Sequence, residues 1–130
     1  MLFGVAGVVT MIAPAMASTF VGGNDFPWPN ADMNSMAELK FYYCNCTDYP
    51  AYEINEQIGG NTTHNIKFSW PSINYNGDGN AEAWKNGATG KWPVDTEPAV
   101  GSIAWWAAAS NNDYFGYLAI VASVTNNGNT

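Results

Sequence analysis

A chain of 130 residues is the length of one domain and leaves no room for two. Four lysines and no arginine stand against 11 acidic residues, for a formal net charge of −7. That balance argues against nucleic-acid binding by phosphate neutralisation and against docking on an anionic membrane surface. Only 12% of residues are charged while 47% are hydrophobic and 15% aromatic, a composition too apolar for a disordered chain. A domain of this size buries about two-thirds of its unfolded surface, so neither a metal nor a disulfide framework is required, and two cysteines are too few for one.

In chain order, Met1 to Ala17 carries no charged side chain and closes on Ala15-Met16-Ala17, a small-x-small ending like that of a signal-peptidase site. Pro14 breaks a helix just before it. A basic n-region is missing, and an apolar core helix is the competing reading, a poor one given Gly4, Gly7 and Pro14. The segment is at the lower limit for a membrane span. Residues 1–17 are thus expected to be a signal peptide and 18–130 an exported, monomeric domain with no membrane attachment after signal removal.

Phe20 to Ala37 is rich in Asn, Pro and Gly and predicts an extended arm. Ala51, Ile54 and Ile58 recur at helical spacing, and Pro50 is tolerated only in a first turn. A helix therefore starts near Cys46 and stops at Gly59-Gly60. A second, short helix fits Asn80 to Gly87, with Asn80 as N-cap and Gly87 as terminator. Val100–Trp106 and Tyr114–Val124 predict strands, and helix first with strands later argues α+β. Asn127-Gly128 is a hairpin-turn signal with no returning strand after it, so a C-terminal strand is expected to be missing, with a frayed polar tail as the alternative.

Cys46, at a helix start, would feel the positive end of the dipole, which favours a nucleophilic thiolate; a buried inert thiol fits the same position. Cys44 lies two residues earlier, and a bridge between them would close a short, strained loop. His64 is the only histidine, so any Cys-His mechanism using a side chain of this chain must use it, but nothing near it in sequence would orient the ring. Two cysteines and one histidine do not make a zinc site, and no metal or cofactor is expected. Asn74 to Gly79 opens like a calcium loop, yet the twelfth position is Lys85, and a tight polar turn explains it better. The six tryptophans could line a sugar-stacking groove or pack a core, and packing suits most of them.

Taken together, Cys46-Thr47-x-Tyr49, Gly79-Asn80-Ala81-x-x-Trp84, Pro98-x-Val100-Gly101-Ser102-Ile103-Ala104-Trp105 and Gly116-Tyr117-Leu118-Ala119-Ile120-Val121 resemble the CHAP family, the cysteine, histidine-dependent amidohydrolases/peptidases. The likeness covers roughly Val21 to Thr130, including the upstream Gly23-Asn24-Asp25-x-Pro27-Trp28-Pro29. It implies a papain-like (CHAP/NlpC-type) α+β domain, with a helix carrying Cys46 packed on an antiparallel sheet. It also implies an exported, wall-associated bacterial protein acting on amide bonds of peptidoglycan. The family nucleophile falls on Cys46, and Asn80, Trp84 and Trp105 fall in its substrate-binding motifs. The family's general-base His falls on Tyr117.

A phenol titrates near 10 and cannot accept the thiol proton at pH 7 as imidazole does. Losing one triad member typically costs about four to six decades in turnover. The resemblance therefore implies a hydrolase by descent with activity lost or strongly reduced, or a non-catalytic wall-binding or inhibitory module.

Overall fold

The computed structural model describes residues 10–12, 26–108 and 115–125. Its elements are strand β1 (Thr10–Ile12), helix α1 (Asp48–Gln57), helix α2 (Trp70–Ile73), a 3-10 turn (Ala81–Ala83), helix α3 (Trp84–Ala88), and strands β2 (Val94–Asp95), β3 (Ile103–Trp106) and β4 (Tyr117–Ile120). The strands form one antiparallel sheet in the order β2-β1-β3-β4, so the fold is α+β. Asn127-Gly128 and residues 20–25 of the predicted Phe20–Ala37 arm lie outside the described residues. Among the described residues, no helix is long and apolar enough to cross a membrane.

α1 begins two residues after Cys46 because Thr47 is its N-cap and Pro50 then falls in the first turn, where the missing N–H costs no intrahelical bond. Its end is closed by two bonds, Gly59 N–H to Glu56 O (2.9 Å) and Gly60 N–H to Asn55 O (2.7 Å), the Schellman arrangement that satisfies otherwise orphaned carbonyls. The buried face carries Ala51, Tyr52 and Ile54. Asn55, also buried, accepts Lys67 N–H (2.8 Å) and Phe68 N–H (3.0 Å) on its Oδ1, which ties the returning chain to the helix.

Sequence spacing misses α2, although its signal is present: Ser69 ahead of a proline, with Ser69 N–H donating to Ser72 Oγ (3.1 Å). The second predicted helix is real but divided. Asn80 precedes a 3-10 turn, and α3 then runs through Gly87 to Ala88, so Gly87 is not the terminator. Its lack of a side chain serves packing instead, since a Cβ there would fall 1.6 Å from Ile73 O of α2.

Ile12, Ile103 and Leu118 are buried on one face of the sheet, with Val94, Trp105 and Ile120 packed beside them, and this face meets α1, Phe68 and Trp84 in the main core. The opposite face carries Ala104, Val121 and Trp106. β3 and β4 are paired with Ile103 opposite Ile120 and Trp106 opposite Tyr117. β3 starts two residues after Gly101 and β4 one residue after Gly116, and both glycines take positive φ, where the chain bends into the strand. Of the segment read as a signal peptide, Thr10–Ile12 is described, and it lies between β2 and β3, with Ile12 fully buried.

Candidate active site

The Cys46 side is a tight loop leading into α1. Tyr43 N–H reaches Ser35 O (3.1 Å), Asn45 N–H reaches Tyr42 O (3.3 Å), and Asp48 N–H reaches Asn45 O (3.0 Å), with Cys44 held at a φ of 58°. The Cys44 N–H donates to Asp48 Oδ2 (3.3 Å), and the Cys46 N–H donates to Asn45 Oδ1 (2.9 Å). No disulfide joins the two cysteines: Cys44 is exposed, its thiol 3.6 Å from Ala31 O, and Cys46 is half-buried. Phe26 and Trp28 pack edge-on against Tyr52, and Phe26 also against Tyr49, so the N-terminal arm braces the first half of α1.

Asp48 is fully buried in the first turn. Desolvation raises its carboxyl from the usual range to about 6, against the stabilising Cys44 N–H, and the negative charge of Glu38 adds to the rise. Its Oδ1 accepts no hydrogen bond. The helix dipole favours a carboxylate here, but loss of water outweighs it.

The Tyr117 side is built around Gly116, whose φ is +70°. A Cβ there would fall 2.8 Å from Trp106 O and 2.9 Å from Glu82 N, so the chain passes between β3 and the 3-10 turn only as glycine. The Glu82 N–H donates to Phe115 O (2.7 Å) and pins this passage. Tyr117 follows at the start of β4, 55% exposed, its ring 6.0 Å from that of Trp106.

The two sides meet. A cavity of about 330 Å³ is lined by Cys46, Tyr49 and Pro50 from one and by Tyr117 to Ile120 from the other. A smaller cavity of about 110 Å³ holds Asn45, Cys46, Thr47, Asn80 and Phe115. Beyond it, a cavity of about 440 Å³ is bounded by Tyr42, Trp70 and the 77–80 turn. The middle cavity shares Asn45, Thr47 and Asn80 with the largest and Cys46 with the third, so the three run in series past the thiol.

Asn80 is held in this groove by its predecessors. Tyr75 and Asp78 exchange backbone bonds (2.8 and 3.0 Å) across Asn76 and Gly77, both at positive φ, which is a type I′ turn and the tight polar turn favoured over a calcium loop. The Asp78 Oδ1 then accepts the Asn80 N–H (2.8 Å). Gly79 passes between two indoles: a Cβ on it would fall 1.9 Å from Trp70 Nε1, while its carbonyl accepts from Trp84 Nε1 (3.2 Å).

Two of the five residues singled out from the sequence take other places. Trp84 is fully buried among Phe41 and Phe68, where it can touch no substrate and instead fixes Gly79. Trp105 is half-buried, donates Nε1 to Ala81 O (2.8 Å), carries Lys85 over its ring at 5.3 Å, and lines none of these three cavities. A large aromatic in a motif says nothing about which way it faces, and both serve packing. His64 sits in the turn after α1, its N–H on Asn61 Oδ1 (2.9 Å). Cys46 precedes the other end of that helix, about 15 Å of helical rise away. Tyr42 was not picked out from the sequence, and Trp70 and Asp78 only as one of six tryptophans and as part of a polar turn, because only the fold brings the 36–47 loop beside the 70–80 segment.

No curated protein and no solved structure matches the chain. The family model for the CHAP domain matches residues 36–130, from just before the cysteine loop through β4, and includes every residue of the groove. Cys46 at the head of a helix, beside the Gly116-Tyr117 strand, sits within that match: the chain belongs to the CHAP domain family, whose function is of the peptidoglycan-hydrolase type.

Proposed function

We propose that this domain is a peptidoglycan amidase or endopeptidase by descent, with Cys46 as nucleophile and with turnover lost or strongly reduced by Tyr117. The observation that carries this is the shared cavity of Cys46 and Tyr117. Attack by a thiolate on an amide carbon needs the thiol proton removed beforehand, and collapse of the tetrahedral adduct needs a proton delivered to the departing amine. Cys46 lies just ahead of the ten-residue α1, whose positive end favours negative charge. A neutral phenol can donate a hydrogen bond into the cleft but has no affinity for the thiol proton at pH 7. His64 is held too far along α1 to substitute.

A second reading, a non-catalytic wall-binding or inhibitory module, is supported by the same observation: the groove persists while the base position is changed. Export through residues 1–17, action as a monomer at the bacterial wall, and absence of nucleic-acid or membrane partners belong to the same proposal. N-terminal sequencing of the exported chain tests the leader, since cleavage after Ala17 would remove β1.

The deciding experiment is release of new amino groups from purified peptidoglycan by the wild type, Tyr117→His and Cys46→Ala. Little release by the wild type and a gain in Tyr117→His that vanishes when Cys46→Ala is added is the expected result. Wild-type release that survives Cys46→Ala would overturn the site, and wild-type release at an ordinary enzymatic rate would overturn the loss of activity. Sedimentation with insoluble wall without release favours the second reading.

A further inference from the structure

We propose that Asp48 is a positioning residue for the Cys46 thiol: it anchors the loop that carries the sulfur and, as a carboxylate, competes with that sulfur for the positive end of α1. Thiolate content at the site is then set by two coupled ionisations. The proposal rests on the reading of Cys46 as nucleophile and adds what governs its charge.

Asp48 grips the loop at two points. Its N–H donates to Asn45 O (3.0 Å), and its Oδ2 accepts the Cys44 N–H (3.3 Å). On the other side of Cys46, Thr47 O accepts the Ala51 N–H (3.1 Å), so the sulfur is carried between fixed neighbours. An amide oxygen would serve the Cys44 N–H as well as a carboxylate does. What the carboxylate adds is a charge, and little shelters it: the side chain is fully buried and Oδ1 accepts no hydrogen bond. Thr47, the N-cap, makes no side-chain capping bond, and Asp48 is the acid of the first turn. The helix end is therefore met either by this carboxylate or by the sulfur.

It favours one anion and not two. A helix end carries about half a positive charge, and residues two apart have Cα atoms at most about 7.6 Å from each other. Like charges that close repel, and burial of one of them weakens the screening by salt. The titratable groups around the pair bring no positive charge to offset this. Glu38 and Tyr43 face Asp48 from the loop, with the Tyr43 hydroxyl donating to Glu38 Oε2 (3.2 Å), and Cys44 lies beside them. Tyr117 faces Cys46 across the cavity. Desolvation lifts the Asp48 carboxyl to about 6, against the Cys44 bond and with help from Glu38, so it titrates close to neutral pH. Above that point the ionised carboxyl disfavours a thiolate, and below it α1 acts on the sulfur alone. Acidification then removes the thiolate less steeply than from an isolated cysteine.

The test is the rate of Cys46 alkylation by iodoacetamide from about pH 5 to pH 7.5 in the intact chain carrying Cys44→Ser, which leaves one thiol and keeps the backbone bond to Asp48. An isolated thiol loses about tenfold in rate per pH unit over this range. The chain is expected to show a shoulder near pH 6 and a total loss about threefold to tenfold smaller. Adding Asp48→Asn, which keeps an acceptor for the loop and removes the charge, is expected to abolish the shoulder and to raise the rate at pH 7.5 by about the same factor. His64→Ala, at the far end of α1, is expected to leave the shoulder in place. In the unsubstituted chain the Cys44 amide signal in NMR is expected to titrate with a midpoint of about 6. A straight rate profile overturns the proposal, as does a shoulder that survives Asp48→Asn or is lost in His64→Ala, and a Cys44 signal that does not move overturns the anchor. Thiol-dependent release of amines from peptidoglycan by Tyr117→His, together with a straight profile, sinks the coupling and leaves the hydrolase reading standing. A shoulder without such release does the reverse.

Discussion

The two walls of the cleft differ in what they present. On the α1 wall, the loop bonds, the position of Cys46 ahead of a helix and the bracing aromatics together fix where the thiol sits. On the β4 wall, Gly116 and the register of Trp106 with Tyr117 supply the place, but the side chain there is a phenol. Position and chemistry are thus encoded by different residues, and one can change while the other stays. Gly116 answers to the backbone of Trp106 and Glu82, whereas the residue after it is half-exposed at the cavity with its ring beside that of Trp106.

Restoring imidazole by Tyr117→His is expected to produce the largest effect, a gain of about two decades or more in amine release from peptidoglycan, as a general acid–base group typically contributes. A gain smaller than threefold would mean that the β4 wall has lost its place as well as its group. Next in size, Gly116→Ala should cost about 3 kcal/mol in urea unfolding, because it combines a left-handed φ with contacts under 3 Å to two backbone atoms that cannot retreat. A cost below about 1 kcal/mol would show that the β4 wall is not fixed by that passage.

On the opposite wall the expected change is a gain. Asp48 binds its proton more tightly in the folded chain than in the unfolded one, since burial raises its carboxyl to about 6. Stability should therefore fall as pH rises from about 4 to about 6 and carry a constant penalty above that. Asp48→Asn removes the charge, keeps an acceptor for the Cys44 N–H, and should add on the order of 1 kcal/mol at pH 7.5 while flattening that part of the pH profile. Destabilisation at pH 7.5 would indicate that the carboxylate is satisfied. The smallest effect belongs to His64→Ala, expected within about 0.5 kcal/mol of the parent and without influence on amine release in the Tyr117→His background. Loss of that release would bring the turn after α1 into the reaction.

Local signals carried much of this molecule. The 51-54-58 spacing and Gly59-Gly60 bounded α1, and the Ile103 and Tyr117 runs gave β3 and β4, because each depends on residues a few positions apart. Spacing also put Cys46 at a helix start. The places of Trp84 and Trp105 were not legible, because burial is settled by distant partners, Phe41 and Phe68 for one and Ala81 for the other. The apolar run read as a leader contains strand β1, because such a run looks alike whether it meets a protease or a sheet, and its pairing with Ile103 depends on a partner far along the chain.

That pairing bears on when the domain can finish folding. Ile12 waits for a neighbour about ninety positions later in the chain, and contacts so remote in sequence close slowly. Through most of synthesis the ribosome has yet to deliver β3, leaving the first apolar stretch accessible to whatever cellular machinery handles emerging chains. The centre of the sheet, β1 beside β3, therefore closes only after most of the chain has been made.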